Sequence, residues 1–183
     1  MKRVAEHFTQ SIRQAIILGV LAFVFVFYAP DTEETGDNVQ IILPVLALGC
    51  EALNGRAVEY AGRVIVMELA IHLPKNLLGD AAINARPDGG WRGFPSGHTT
   101  AATMGATTLI TRCVKDNFVV QGVIGLSAAF VGGSRIEADR HYLWQVIAGA
   151  VTGWFIGWLP IDFFGRFRRL WRKARDPNDT NDT

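Results

Sequence analysis

Three stretches of this chain carry no charged side chain: Ala15 to Ala29, Phe118 to Gly133 and Tyr142 to Ile161. A helix needs roughly 20 predominantly apolar residues to cross the hydrocarbon core of a bilayer. The first stretch approaches that length when extended back through Gln14 and Arg13 to Ser11. His98 to Thr111 is a fourth, weaker run, because it carries six threonines and little bulk. Gln40 to Leu53 is interrupted by Pro44 and Glu51, and Val58 to Leu78 contains Glu59, Arg63, Glu68 and His72. The last of these cannot face lipid all round, since ionisable groups at membrane depth turn to a bundle interior or a wet cavity. The pattern predicts an all-α, polytopic membrane protein, a six-transmembrane-helix bundle. Residues 1–175 read as one integral-membrane domain, and 176–183 as a disordered polar tail.

Composition sharpens this by exclusion. Eighteen basic against 17 acidic side chains leave a net charge of +1, without the basic excess that nucleic-acid binding shows. Two cysteines, Cys50 and Cys113, exclude a disulfide-dense scaffold and a Cys-rich zinc module. Phe27-Tyr28-Ala29 is too bulky for a small-x-small signal-peptidase site, so the first helix is expected to be retained.

Charge placement sets an expected orientation. Bases gather at Lys2, Arg3 and Arg13 and in the tail from Arg166 to Arg175, whereas the expected loop Asp31 to Asp37 holds acids and no base. The positive-inside rule puts both termini in the cytoplasm, as an even number of spans requires, with Arg112 and Lys115 also inside. Segments 79–97 and 134–141 then face the periplasm or exterior across a cell (inner) membrane. Gly149, Gly153 and Gly157 recur every fourth residue, a stripe that lets membrane helices pack closely.

Three polar clusters fall on the outer side: Asn84 to Gly90, Gly93 to Thr99, and Ser134-Arg135 through Arg140 to His141. A Ser-Gly pair opening a helix offers backbone N–H groups to an anion with the helix dipole in the favourable sense. Guanidinium forks at Arg86 and Arg135 match phosphoryl oxygens. One histidine can attack phosphorus while another protonates the leaving oxygen. Each cluster alone is commonly a turn or a cap. Their order and spacing are what carry weight.

Arg86-Pro87, then Pro95-Ser96-Gly97-His98, then Ser134-Arg135, five residues and His141 resembles the signature of the type 2 phosphatidic acid phosphatase superfamily, over about residues 72–160. The resemblance implies a six-helix membrane phosphatase with an extracytoplasmic site, acting on a lipid phosphate substrate within the phospholipid bilayer. It implies His141 as the nucleophile forming a phosphohistidine, His98 as the acid, and Arg135, Arg86, Ser96 and the backbone at Gly97 as phosphate ligands. No metal, no other cofactor and no nucleic acid is implied, and the oligomeric state is left open.

Two positions depart from the pattern. Gly79 stands where the family places a lysine, with Lys75 one helical turn earlier, and Gln145 stands where it places the aspartate that supports the nucleophile. Gln145 can accept a hydrogen bond from the His141 imidazole but supplies no charge, unless Asp139 or Glu137 substitutes. On this reading an aspartate restored at 145 should speed the attack. Expected substrates are phosphatidate-like lipids, phosphatidylglycerophosphate, polyprenyl diphosphate or a lipid A phosphate. The alternatives are a lipid phosphotransferase and a non-catalytic lipid-phosphate-binding membrane protein.

Overall fold

A computed structural model describes residues 2–28 and 30–159, with side chains from Thr9 onward. Six α-helices follow one another: α1 (Lys2–Phe27), α2 (Thr32–Leu53), α3 (Ala57–Leu77), α4 (Gly97–Thr108), α5 (Phe118–Glu137) and α6 (Leu143–Trp158). A 3-10 turn, Ala82–Asn84, lies between α3 and α4, and a π-helical turn, Leu109–Cys113, prolongs α4. There is no strand among the described residues. Thr9–Phe27, Thr32–Leu53 and Phe118–Glu137 are long and apolar enough to cross a membrane, and α6 is a shorter apolar helix. Large apolar side chains such as Ile16, Phe23, Val45, Leu126, Ile147 and Trp154 point outward, as a lipid-facing belt requires.

The threonine-rich run has the central position. Its helix, α4, packs on α6, α2 and α5, and Thr99, Thr100, Ala102, Met104 and Leu109 are buried. Threonine suits this place because its hydroxyl can bond back into its own helix while its small bulk lets neighbours close in. Thr100 Oγ1 donates to the Ser96 carbonyl at 2.7 Å and Thr108 Oγ1 to the Met104 carbonyl at 2.9 Å. The glycine stripe of α6 is the matching surface. A Cβ at Gly149 would stand 2.6 Å from the Ser96 carbonyl oxygen, and one at Gly157 2.8 Å from that of Met104.

The expected loop Asp31 to Asp37 is instead the start of α2. Asp31 is the N-cap, its carboxylate accepting from the Glu34 N–H at 2.9 Å, with Glu33 and Glu34 in the first turn. A capping aspartate with acids at the positive end of the helix is a favourable local arrangement. Pro44 does not interrupt α2, and Glu51 is buried against Arg56 and Arg63. Glu68 and His72 pair with each other on an exposed face of α3. Gly36 permits the close crossing of α2 over α5, since a Cβ there would collide with the Ser134 hydroxyl. At the other end of α2, a disulfide joins Cys50 to Cys113. The basic tail Arg166 to Arg175 and the polar tail 176–183 lie outside the described residues.

Candidate active site

The segment between α3 and α4 is organised by one buried amide. Asn84 donates through Nδ2 to the carbonyls of Gly79 (2.7 Å) and Lys75 (3.0 Å), closing the end of α3. Its Oδ1 accepts from the Phe94 N–H at 3.2 Å. Asp88 turns the loop by accepting from the Gly90 N–H at 2.8 Å, a bond that holds the Asp88 carboxyl below its usual range. Gly79, in the family's lysine position, has φ of +49°, a left-handed conformation that suits a helix end and disfavours a lysine. Lys75, one turn back, reaches the site instead. Its Nζ would lie 3.4 Å from a Cβ built on Gly97.

A cavity of ≈ 280 Å³ is lined by Lys75, Arg86, His98, Arg135 and His141, with Glu33, Asp37 and Arg140 completing its wall. Four of the six site residues expected from sequence, His141, His98, Arg135 and Arg86, thus meet in one space. The other two do not line it but directly precede His98: Ser96 is buried, with its Oγ 2.9 Å from Thr99 Oγ1, and Gly97 opens α4. Arg86 donates from Nη2 to the Arg92 carbonyl at 3.3 Å, while its buried Nε has no partner. A buried donor left unpaired costs free energy, and an oxyanion in the cavity would satisfy it.

His141 is only 3% exposed, and its Nδ1 lies 3.2 Å from Gln145 Oε1. The Gln145 amide is oriented by its other bonds: Nε2 donates to the carbonyls of Ala85 (2.8 Å) and Ile83 (3.3 Å), and Oε1 also accepts from the Tyr142 N–H at 3.2 Å. Two carbonyls facing Nε2 require Oε1 to face His141, so the His141 proton sits on Nδ1 and Nε2 keeps its lone pair. Burial lowers the His141 pKa to about 4, with Arg86 and Lys75 acting in the same direction and hydrogen bonding to Gln145 and the Gly93 backbone opposing it. At neutral pH the imidazole is therefore uncharged. Asp139 and Glu137 are not among the partners of His141. Gly93 gives Gln145 its room, because a Cβ there would stand 2.5 Å from Nε2.

Two site residues were missed in the sequence. Asp37 Oδ1 lies 2.8 Å from Arg135 Nη1 and 3.1 Å from His98 Nε2. Glu33, one turn earlier on α2, accepts from Arg135 Nη2 through its backbone carbonyl at 2.9 Å and from Arg140 Nε through its carboxylate at 3.0 Å. The signal was present: Asp31 followed three residues later by Glu34 reads as a helix start, and it places Glu33 and Asp37 on one helical face.

The family model of the PAP2 superfamily matches residues 69–169, which include every one of these motif residues. No curated protein and no solved structure matched the chain. With an all-helical fold, three helices able to span a membrane and more than half of its length matched, the chain belongs to the PAP2 superfamily and is a membrane protein of the phosphatase kind.

Proposed function

We propose that this protein is a lipid phosphate phosphatase that hydrolyses a lipid phosphomonoester or diphosphate without a metal, through a phosphohistidine on His141. The observation that carries the reading is the convergence of His141, His98, Arg86, Arg135 and Lys75 on one cavity, within the region matched to the family. In the first step His141 Nε2 attacks phosphorus, the bond from phosphorus to the lipid oxygen breaks, and His98 gives its proton to that oxygen. In the second step water attacks phosphorus, its proton passes to His98, the bond from phosphorus to His141 Nε2 breaks with its electron pair returning to the imidazole, and phosphate leaves. Arg86, Arg135 and Lys75 carry the negative charge of the transferring group, while Ser96 and the Gly97 N–H present donors at the start of α4. Asp37 must yield Arg135 and His98 when substrate enters.

The reading includes an orientation: both termini cytoplasmic, and the cavity on the periplasmic or outer face of the cell membrane. Its support is that Arg13, Arg56, Arg112 and Lys115 lie at the opposite end of the bundle, where the bases of an inward face belong.

Phosphate release by the purified protein from a panel of lipid phosphates, with and without EDTA, tests the activity. Release that resists EDTA and is abolished in His141→Ala is the expected result, and His98→Ala should slow alkyl phosphates far more than aryl ones. Full activity in His141→Ala would overturn the mechanism. Release abolished by EDTA would overturn its metal independence.

A further inference from the structure

A second cavity, ≈ 420 Å³ and larger than the catalytic one, opens at the other end of the bundle. Asn54 lines it, whereas Asp37 lines the catalytic cavity, and these residues lie roughly 25 Å apart along α2 at the helical rise. One phosphoryl group cannot serve both. Three cations line this space, Arg13 from α1, Arg112 from the π-helical turn and Lys115 beyond it, and no carboxylate among the described residues does.

The neutral neighbours hold these cations without discharging them. Asn54 Oδ1 accepts from Arg13 Nη1 at 3.1 Å, and Gln10 Nε2 donates to the Lys115 carbonyl at 2.6 Å. Arg112 donates from Nη2 to the Leu159 carbonyl at 3.2 Å. Arg13 Nε is buried with no partner, and none of the three cations is ion-paired among the described residues. Glu51, the nearby carboxylate, is occupied: Arg56 binds it through two N–H groups at 3.1 and 2.9 Å, with Arg63 3.8 Å away. The Cys50–Cys113 disulfide ties the end of α2, next to Asn54, to the turn that carries Arg112. Three cations without an ion-pair partner among the described residues, and a buried orphan donor, describe a socket for an anion.

We propose that this cavity binds a phosphate group, distinct from the one that is hydrolysed, with Arg13, Arg112 and Lys115 as its ligands. Two sources supply that chemistry: the headgroup of an anionic membrane lipid, and free inorganic phosphate. The site does not depend on the catalytic reading. On the proposed orientation it faces the leaflet opposite the one that presents substrate.

The test compares the wild-type protein with Lys115→Gln, which removes an ammonium that is not ion-paired among the described residues, and with the charge-keeping Lys115→Arg. In one arm, nanodiscs of phosphatidylcholine are titrated with phosphatidylglycerol. In the other, the protein in neutral detergent is titrated with inorganic phosphate against chloride at matched ionic strength. Thermal midpoint reports binding, and turnover in pure phosphatidylcholine reports the catalytic site separately. Lys115→Gln should weaken the apparent affinity by about tenfold, the worth of one charge-assisted contact, with Lys115→Arg restoring it and turnover unchanged. A loss confined to the lipid arm assigns a headgroup, and one confined to the phosphate arm assigns the free anion. Equal stabilisation of the wild type and Lys115→Gln in both arms would overturn the proposal. Lost turnover with normal anion binding would bear on the catalytic reading alone.

Discussion

The bonds of Gln145 reverse what its position in the motif suggests. An aspartate at 145 would supply the charge that a nucleophilic histidine commonly has beside it, and sequence alone favours Gln145→Asp as an activating change. In the structure Gln145 is fully buried and donates to the Ala85 and Ile83 carbonyls. A carboxylate has no proton for either, and it is one methylene shorter. Losing two bonds at about 1 kcal/mol each, and leaving a buried charge beside two carbonyl oxygens, should cost about 2–4 kcal/mol of stability. The gain available from a charge-assisted bond to His141 is about 1–2 kcal/mol, and only where the shorter side chain reaches Nδ1. Ala85 adjoins Arg86, so a loosened loop also displaces a phosphate ligand. We therefore expect Gln145→Asp to slow phosphoenzyme formation by about tenfold or more, equivalent to about 1.4 kcal/mol, and to lower the thermal midpoint. Rapid-quench measurement with labelled substrate, beside thermal unfolding in detergent, reads both. Gln145→Asn separates length from charge. A faster phosphoenzyme step in Gln145→Asp at undiminished stability would refute the argument and show the loop bonds to be dispensable.

Four further outcomes are expected. His141 acts as a neutral imidazole, and with its pKa lowered to about 4 the free enzyme should keep kcat/KM down to about pH 4–5; an acid limb near the ordinary histidine pKa would contradict the burial argument. The same shift makes the folded state bind fewer protons than the unfolded chain between about pH 4 and 6.5. The stability contributed by neutral His141 is thus present above that window and lost as pH falls through it, which thermal unfolding against pH would read. Asp37→Asn removes a carboxylate competing for Arg135 and His98; because Asp37 is about half exposed, the effect is screened to about 1 kcal/mol, or about fivefold tighter vanadate inhibition, and weaker inhibition would mean that Asp37 positions Arg135 instead of opposing phosphate. Finally, the proposed orientation places Cys50 and Cys113 where the cytosolic thiol pool keeps them reduced, so alkylation under acid trapping in intact cells should find both as thiols and the isolated, air-exposed protein bridged. Bridged cysteines in trapped cells would overturn that orientation.

Charge-free runs of near-membrane length determine helices whatever their neighbours, because a bilayer leaves backbone polar groups no partner but their own helix. For that reason α1, α5 and α6 could be read from the chain directly, with α4 as a weaker run and α2 and α3 needed to connect them, while the glycine stripe of α6 and the Arg86, Ser96-Gly97-His98 and Arg135–His141 clusters were legible as spaced motifs. What no local pattern contains is which side chains meet across helices. Asp31 to Asp37 looks like a polar loop by charge, yet capping at Asp31 and the missing Cβ of Gly36 bring Asp37 against Arg135 and His98. Lys75 lines the cavity, although Gly79 holds the motif position, only because α3 runs past the start of α4. Gln145 looks like a weakened aspartate until the loop carbonyls of Ile83 and Ala85 are placed beside it. Hydrophobic periodicity is a property of the chain, whereas the partner of a buried polar group is chosen by the geometry of helices distant in sequence, and only the tertiary structure supplies it.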